Sequence, residues 1–478
     1  MKKVLYILLA GWMLSAAVSC EKFLTEASKS SLTPENSFVT PEDWDKALTA
    51  AYGMLQNTFI GKYTITINNF GTDEVEPFDL GWAAYAQLKY YTFSAQHEFF
   101  QNHYECCYDA VKRTNTVLDM PESAPVSAER RTQMMAEAKF LRALFYFELV
   151  SNYGGVPVWT SSIVDRTQIN KPKMSADEVY RQIVSDMTDA AEALPEKWPS
   201  ASDVGRATKG AAYALLGRFL LQWGKPQEAL DALNKVTGYR LYDTYAEIFD
   251  KNNKNQGVEN IFEVQSRYSG KWGLEGSIQS SYWGPRGGGG PTAGGFGWGG
   301  FGPTRYLYDS YEDGDLRKTA FFCTEYKGVP QDPPCIMKYR DPDHNNEIED
   351  DDLNYILIRY ADVLLMKAEA LNATGDATTE KYDCLNQVRR RAGLADITSA
   401  DGLSKEQFAA AVLEERLHEL CCERHRRTDL VRFGKLAEQV RAAFPEITLD
   451  AHFNLYPIPQ SAIDANDAMT EEDQNPGY

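Results

Sequence analysis

The strongest constraint on the fold is a pair of short amphipathic segments near the middle of the chain. Tyr213, Leu216 and Leu220 recur at three- and four-residue spacing, which is the period of one face of an α-helix. Gly217 in the first segment and Ala229 in the second are small where two such helices would cross. The larger residues would fill the crossing, so the sequence predicts a helical hairpin with closely packed helices.

The same pattern recurs further along the chain. Gly224-Lys225-Pro226 supplies a turn in which proline opens the second helix. Leu364, Ala368 and Leu371 repeat the spacing in a looser form. Both copies fit the tetratricopeptide pattern, although that consensus is degenerate and unrelated amphipathic hairpins are the alternative. Helices are also predicted from Asp43 to Leu55, Glu98 to Leu118, Ala128 to Val150, Lys405 to about Leu420, and onward to Val440. The predicted fold class is therefore mainly α, a scaffold of paired helices.

Two regions lack this helical period. Residues 61–93 carry aromatic residues without it, and an irregular insert is predicted at about 239–355. Within the insert, glycines alternate with aromatic residues, and Gly295-x-Gly297-x-x-Gly300 formally matches a dinucleotide fingerprint. No buried strand enters this stretch and no helix leaves it, so a nucleotide cofactor is not predicted. A long glycine loop in a compact protein is usually functional or mobile.

The amino terminus is typical of an export signal. Two lysines precede an apolar run ending at Leu14, and small residues lead to Cys20. This order predicts that residues 1–19 are a cleaved signal peptide. The position of Cys20 resembles a bacterial lipobox, with Ala17 where leucine is usual, and the resemblance implies lipid attachment at Cys20. The alternative is a simple signal with an incidental cysteine.

Charge and cysteine content exclude several classes. The formal net charge of −19 argues against a nucleic-acid partner, which requires a basic face, and against adsorption to anionic lipid. Membrane attachment is therefore expected through the lipid anchor only. Seven cysteines follow Cys20, which is an odd number and too few for a disulfide framework. Cys323 and Cys335 can bridge across a loop, and the others are expected to be small buried residues.

Several blocks of sequence, in order along the whole chain, carry a family resemblance. They are Cys20-Glu21-Lys22-Phe23-Leu24, Arg142–Phe147 leading to Tyr153-Gly154-Gly155-Val156-Pro157, Ile358–Leu365 with Ala368-Glu369-Ala370, Leu385–Leu394, Glu415–Arg432, Tyr456-Pro457-Ile458-Pro459 and Gln474–Tyr478. Together they resemble the SusD/RagB family of outer-membrane nutrient-binding lipoproteins. Arg424 and Arg427 depart from the family pattern, which more often has glycine and an aromatic residue there.

The resemblance implies both a fold and a function. The implied fold is one SusD-like domain over residues 20–478, with tetratricopeptide-like helices and a loop-rich ligand-binding face. The implied function is capture of oligosaccharides, or sometimes peptides, at the cell surface and their delivery to a TonB-dependent SusC-like transporter, without catalysis or a cofactor. The alternatives are a peptide- or protein-binding helical scaffold and, third, a glycoside hydrolase with two close carboxylates.

Sugar capture requires flat aromatic faces and a few polar groups. Family members place ligand contacts after the first helix and in the central irregular region, which implies ligand-binding residues in the same two stretches here. These are Asp73, Glu74, Trp82, Tyr85, Trp272, Tyr282, Trp283, Trp298 and Phe301. The aromatic residues among them lie in loop-like stretches where burial in the core is least expected. The alternative is that these rings pack the loops onto the helices.

Three further clusters have a chemical and a structural interpretation. Glu415 and Glu419 fit a catalytic pair, but pairing with arginines of neighbouring helices is favoured. His418-x2-Cys421-Cys422-x2-His425 places soft ligands on one helix face, yet consecutive turns rarely complete a zinc tetrahedron, so no metal is predicted. His103-x2-Cys106-Cys107 has a similar pattern, and no metal is predicted there for the same reason. The acidic stretch 341–352 lacks the EF-hand order, and a solvated loop is favoured over a calcium site.

Overall fold

The structure is a computed structural model, and it describes residues 38–163, 165–270, 276–287, 297–341, 350–375 and 378–478. Its helices are α1 (Pro41–Leu55), α2 (Ala83–Tyr90), α3 (Glu98–Leu118), α4 (Ala128–Tyr153), α5 (Ala176–Ala193), α6 (Lys209–Gln222), α7 (Pro226–Leu233), α8 (Tyr245–Ile248), α9 (Gln279–Trp283), α10 (Arg305–Ser310), α11 (Leu316–Phe321), α12 (Tyr360–Thr374), α13 (Glu380–Arg391), α14 (Lys405–Leu420), α15 (Arg426–Arg432), α16 (Leu436–Ala443) and α17 (Gln460–Asp464). Its strands are β1 (Val75–Pro77), β2 (Asn260–Val264), β3 (Phe301–Pro303), β4 (Phe322–Tyr326), β5 (Val329–Ile336) and β6 (Tyr355–Arg359).

The predicted helices are confirmed, and local capping explains their bounds. Ser127 accepts a hydrogen bond from the Arg130 amide at the start of α4, and Ser404 does the same for Gln407 at the start of α14. Such caps satisfy amides that have no partner inside the helix. α4 ends at Gly154, whose φ of 73° suits glycine. α3 and α14 span the predicted ranges, whereas α4 continues to Tyr153 instead of Val150.

Adjacent helices form antiparallel layers. α4 packs between α3 and α5, α5 packs on α6, and α6 packs on α7. The predicted close crossing is present, because a Cβ on Gly217 would lie 2.5 Å from the Leu233 side chain. A larger residue at this position would displace the Leu233 side chain from the close packing between the two helices. Phe147 of α4 stacks on Phe219 of α6 at 4.2 Å between centroids, so the hairpin is fixed to the layer before it.

The second predicted hairpin is α12–α13. Leu364, Ala368 and Leu371 are buried, and α12 packs against α13, α14 and α7. The turn begins at Gly375 with a φ of 75°, a left-handed position that glycine adopts without strain. The two hairpins therefore meet through α7 and α12, which joins the amino- and carboxy-terminal helical layers into one body.

The described parts of the two regions that lack a helical period are more ordered than predicted. They contain short helices and three two-stranded antiparallel ribbons, β1–β3, β2–β6 and β4–β5. Helix α2 also lies inside the stretch 61–93, where the helical period is weak. These elements are short and stabilised by contacts with distant segments rather than by their own periodicity, which is why sequence pattern alone misses them.

Candidate functional site

The ribbon β1–β3 brings the two predicted ligand-binding segments together. Val75 pairs with Pro303 and Pro77 pairs with Phe301. Beyond the paired residues, the amides of Phe78 and Asp79 donate to the Gly300 carbonyl at 2.8 and 3.3 Å. The stretch after α1 and the glycine-rich stretch are thus fixed edge to edge. We call the surface at this end of the ribbon, with residues 78–82 and 297–300, the ribbon face.

A cluster of buried rings supports the ribbon face from below. Its centre is Phe301, whose ring centroid lies 4.7 Å from Trp283, 5.2 Å from Phe70, 5.7 Å from Tyr282 and 6.3 Å from Tyr85. All five side chains are buried, with exposed fractions of 7% or less. The expectation that Tyr85, Tyr282, Trp283 and Phe301 avoid the core is therefore wrong. These rings pack the loops onto the helices as part of the main hydrophobic core.

The two predicted acidic ligand contacts are also buried. Arg426 donates to both carboxylate oxygens of Asp73, at 2.8 and 2.5 Å. Glu74 accepts a hydrogen bond of 2.6 Å from the Cys422 amide, and burial raises the pKa of Glu74 well above its usual range. Their exposed fractions are 0% and 1%, so neither faces solvent. In this structure they attach the base of β1 to the carboxy-terminal half.

Two predicted rings remain accessible. Trp298 is 48% exposed, and its amide donates 2.6 Å to the Ser281 carbonyl, which fixes the backbone that carries it. Trp82 is partly buried and lies 4.7 Å from Tyr85. The Trp82 indole nitrogen donates 2.9 Å to a Glu98 carboxylate oxygen at the start of α3. The remaining predicted residues, Trp272 and the lipid site Cys20, lie outside the described residues.

Sequence reasoning missed three neighbours of these rings. Tyr63 is 39% exposed and meets Trp82 edge to face at 6.0 Å. The guanidinium of Arg286 lies 4.0 Å from the centroid of the Phe78 ring, close enough for a cation–π contact. No motif marks these residues. The nearest signal is that Tyr63 and Phe78 belong to the same aromatic stretch as Trp82.

One short segment, residues 422–427, anchors the loop that carries Trp82. The Arg424 guanidinium donates to the carbonyls of Phe59 and Ile67 at 2.9 and 3.0 Å, and to Glu148 at 3.1 Å. Arg427 donates 2.7 Å to the Phe453 carbonyl. Arg424 adopts a φ of 63°, the conformation that a glycine at this position would take. The arginine side chain therefore adds hydrogen bonds to the anchor at a backbone position that also suits glycine.

The carboxy-terminal charges form a buried network of ion pairs. Arg359 donates to Glu419 at 2.6 Å, Glu423 at 2.9 Å and Glu259 at 3.0 Å. Arg317 contacts Glu415 at 2.6 Å. Burial alone would raise the pKa of Glu419, but Arg391, Arg359 and Arg317 hold it well below its usual range. The favoured interpretation of Glu415 and Glu419 as structural partners of arginines is confirmed, and both carboxylates lie in the interior, away from solvent.

The helical zinc arrangement considered for residues 418–425 does not form. α14 ends at Leu420, so Cys421 and Cys422 leave the helix face that carries His418. The His418 ring contacts the Ser310 hydroxyl at 2.9 Å instead. Across the described residues, no group of three or more histidine, cysteine or acidic side chains is arranged to hold a metal ion. In the other cluster, the His103 ring contacts Tyr153 and Glu148.

The remaining acidic and cysteine predictions have mixed outcomes. Residues 342–349 lie outside the described residues. Asp341, Asp350 and Asp351 are buried, so the expectation of a solvated loop is wrong at these three positions. Cys323 and Cys335 are directly opposite on β4 and β5, but both are free thiols in this structure. None of the described helices is both long enough and apolar enough to cross a membrane.

Two family models match parts of this chain. Residues 333–478 match the model described as the SusD family. Residues 22–221 match the model described as "Starch-binding associating with outer membrane". The two matches lie in separate parts of the chain and together span well over half of it, including both partners of the contacts that Arg424 makes with Phe59, Ile67 and Glu148. The chain belongs to the SusD family.

Individual SusD relatives cover the chain from end to end. It is 26% identical to the SusD-like protein P25 of Formosa agariphila, with 100% of both chains aligned. It is 26% identical to a SusD-like protein of Bacteroides ovatus over 82% of this chain and 76% of that protein. SusD-like proteins are carbohydrate-binding and associated with the outer membrane, and the present chain has the mainly helical fold of this group.

Solved SusD-like structures share the fold. A laminarin-binding SusD-like protein superposes with a TM-score of 0.79 and 27% identity, covering 92% of this chain and 100% of that one. Surface glycan-binding protein A from Bacteroides fluxus superposes with a TM-score of 0.77 and 25% identity, covering 92% and 100%. The two superpositions show that this chain has the same overall fold as these proteins.

Proposed function

We propose that this protein is a cell-surface lipoprotein that binds an oligosaccharide at the ribbon face and delivers it to a TonB-dependent, SusC-like transporter. The observation that carries the proposal is Trp298, a large ring almost half exposed on a backbone that is hydrogen-bonded to Ser281 of α9. An indole face held in this way offers the flat apolar surface on which a pyranose ring stacks. Trp82 and Tyr63 supply further aromatic surface on the neighbouring segment.

The relatives support the proposed ligand class. One solved relative is a laminarin-binding SusD-like protein, and one matching family model is described as starch-binding. Both are neutral glucans, and a neutral glycan suits a chain with a net charge of −19. We infer that binding occurs without hydrolysis, because Glu415 and Glu419 form ion pairs with buried arginines and do not reach the ribbon face.

Affinity electrophoresis on laminarin and on starch tests the site. The full-length protein, purified in detergent, is expected to be retarded by one of these glycans, and Trp298→Ala is expected to weaken binding about tenfold, or about 1.4 kcal/mol. Trp82→Ala is expected to weaken binding less, since its ring is partly covered by Tyr85. Unchanged retardation of both variants would remove the proposed site.

The matched control is Trp223→Ala, which removes a partly buried tryptophan from the end of α6. Its indole nitrogen bonds Asp177, on segments that do not form the ribbon face, so glycan retardation is expected to be unchanged. The same samples, incubated with laminarin or starch and assayed for new reducing ends, test the absence of hydrolysis. Released sugar at a rate that depends on protein concentration would overturn that part of the proposal.

The anchor and the partner have separate tests. Cys20→Ala is expected to move the protein from the membrane fraction to the soluble fraction, since a lipid chain is the proposed attachment. Affinity purification of the intact lipoprotein from detergent-solubilised outer membranes is expected to recover a TonB-dependent transporter. Recovery of the lipoprotein alone, under conditions that preserve its glycan binding, would contradict the partnership.

A further inference from the structure

A polar cleft lies on segments that do not build the ribbon face. Its cavity, of about 600 Å³, is lined by residues from the stretches 196–208, 237–239 and 255–263. An adjoining cavity of about 310 Å³ shares Arg206 and Glu263 with it. We call the two together the second cleft. It lies where the connection between α5 and α6 passes the start of β2.

Two aromatic rings line the second cleft and are held in fixed positions. The indole nitrogen of Trp198 donates 2.8 Å to the Ala207 carbonyl, which anchors one edge of the ring. Tyr239 packs tightly over α6, since a Cβ on Gly210 would lie 2.6 Å from the tyrosine hydroxyl. Both rings are only partly buried, so they combine a rigid position with accessible surface. Fixed planar rings of this kind are suitable stacking partners for a sugar.

The cleft also contains an unsatisfied acceptor. Asn260 lines the cavity and is 5% exposed. Its amide nitrogen donates 3.2 Å to the Ile248 carbonyl, but its Oδ1 atom has no donor among the described residues. A buried acceptor usually has a partner. The Oδ1 atom is itself closed off from solvent, so a ligand hydroxyl would become its partner once the Asn260 side chain turns toward the cavity. Beside it, the Glu263 carboxylate accepts 2.7 Å from the Asn354 side chain.

The charges of the cleft do not suit an anionic ligand. Arg206 contacts Glu137 at 2.9 Å and Asp203 at 3.1 Å, so its positive charge is already compensated. Glu263 is buried, and its burial raises the pKa of the carboxyl. A group that bears hydroxyls but no charge therefore fits better than a phosphate or a carboxylate, because it needs no counter-charge from the cleft.

We propose that the second cleft is a second carbohydrate site, which stacks a neutral sugar ring on Trp198 and accepts a hydroxyl at Asn260 Oδ1. The inference rests on the proposed function, since it assumes that the protein captures glycans. Two sites on one body raise the apparent affinity for a polymer that spans both. The second cleft would then retain a long chain while the ribbon face engages another part of it.

Fluorine NMR of the full-length protein labelled with 5-fluorotryptophan tests this inference. The Trp198 and Trp298 signals are assigned by their loss in Trp198→Phe and Trp298→Ala. Malto-oligosaccharides and laminarin oligosaccharides are the probes. The expected result is that one of these glycans shifts or broadens the Trp198 signal in the wild type and also in Trp298→Ala. Affinity gels are then expected to show a larger loss in Trp198→Ala/Trp298→Ala than in Trp298→Ala alone.

The possible outcomes separate the two proposals. Movement of the Trp298 signal without movement of Trp198 would overturn the second site and leave the proposed function in place. Movement of Trp198 that disappears in Trp298→Ala would also overturn it, because the effect would then originate at the ribbon face. If neither signal moves with either glycan, both proposals fail. A Trp223→Phe variant identifies a third signal, which is expected to stay unchanged throughout.

Discussion

The ring cluster beneath the ribbon face and the carboxy-terminal ion-pair network are both buried frameworks, but they are built from opposite chemistry. Around Phe301 the contacts are aromatic rings at centroid distances of 4.7 to 6.3 Å. Around Arg359 they are charge-assisted hydrogen bonds of 2.6 to 3.0 Å to three carboxylates. The first framework has no fixed direction of contact, whereas each bond of the second requires one atom in one place.

The difference indicates which part of the molecule can vary. Apolar packing tolerates exchange of one ring or aliphatic side chain for another at moderate cost. A buried ion pair does not, because removal of one partner leaves an uncompensated charge. A binding surface supported by rings can therefore change its shape on a scaffold that stays constant.

The largest expected effect is in the ion-pair network. Arg359→Met keeps most of the side-chain volume but leaves Glu419, Glu423 and Glu259 without their shared arginine. We expect the free energy of unfolding to fall by about 3–5 kcal/mol, measured by urea denaturation followed by circular dichroism. The control is Arg113→Met, which breaks an exposed pair with Asp109 and should change stability by less than about 1 kcal/mol. Equal losses of unfolding free energy in Arg359→Met and Arg113→Met would contradict the proposed importance of the buried network.

The next effect concerns the rings beneath the ribbon face. Phe301→Ala is expected to lower the free energy of unfolding by about 3 kcal/mol, since it removes the ring at the centre of the cluster. Phe301→Leu is expected to lower it by about 1 kcal/mol. A Phe301→Leu loss as large as that of Arg359→Met would show that aromatic packing is no more tolerant than ion pairing here.

Acid sensitivity gives an intermediate effect. Burial, together with the positive charges of Arg317, Arg426 and Arg389, lowers the pKa of His418 to about 3. The unfolded chain therefore binds the proton first as the pH falls below about 6.5, and stability declines by about 1.4 kcal/mol per pH unit for this histidine. His418→Gln removes this contribution. The loss of stability between pH 7 and pH 5 should be about 2 kcal/mol smaller in the variant, and an unchanged loss would contradict the assignment.

The smallest effect on stability belongs to the exposed ring. Trp298→Ala is expected to change the free energy of unfolding by less than about 0.5 kcal/mol, although it should weaken glycan binding. Thermal unfolding and affinity electrophoresis on the same samples measure the two quantities. A large drop in melting temperature would place Trp298 with the supporting rings rather than on the binding surface.

The helical scaffold could be predicted from the sequence because its signals are local. Apolar spacing and capping residues define α3 and α14, and Gly217 marks a close crossing. The site could be predicted only in part. The pairing of β1 with β3, and hence the burial of Phe301 but not of Trp298, depends on contacts between segments more than 200 positions apart. No local pattern distinguishes a ring that supports a loop from one that faces solvent.

The hydrogen bonds of Arg424 affect the order in which parts of the chain can fold. The carbonyls of residues 58, 59 and 67 emerge early in synthesis, yet their donor follows more than 350 positions later. Until it arrives, the early stretch has unpaired polar groups beside exposed rings, a state prone to misassociation. The segment that carries Trp82 should therefore be among the last to acquire its native order, and it is the part of the folding chain that a chaperone would most need to shield.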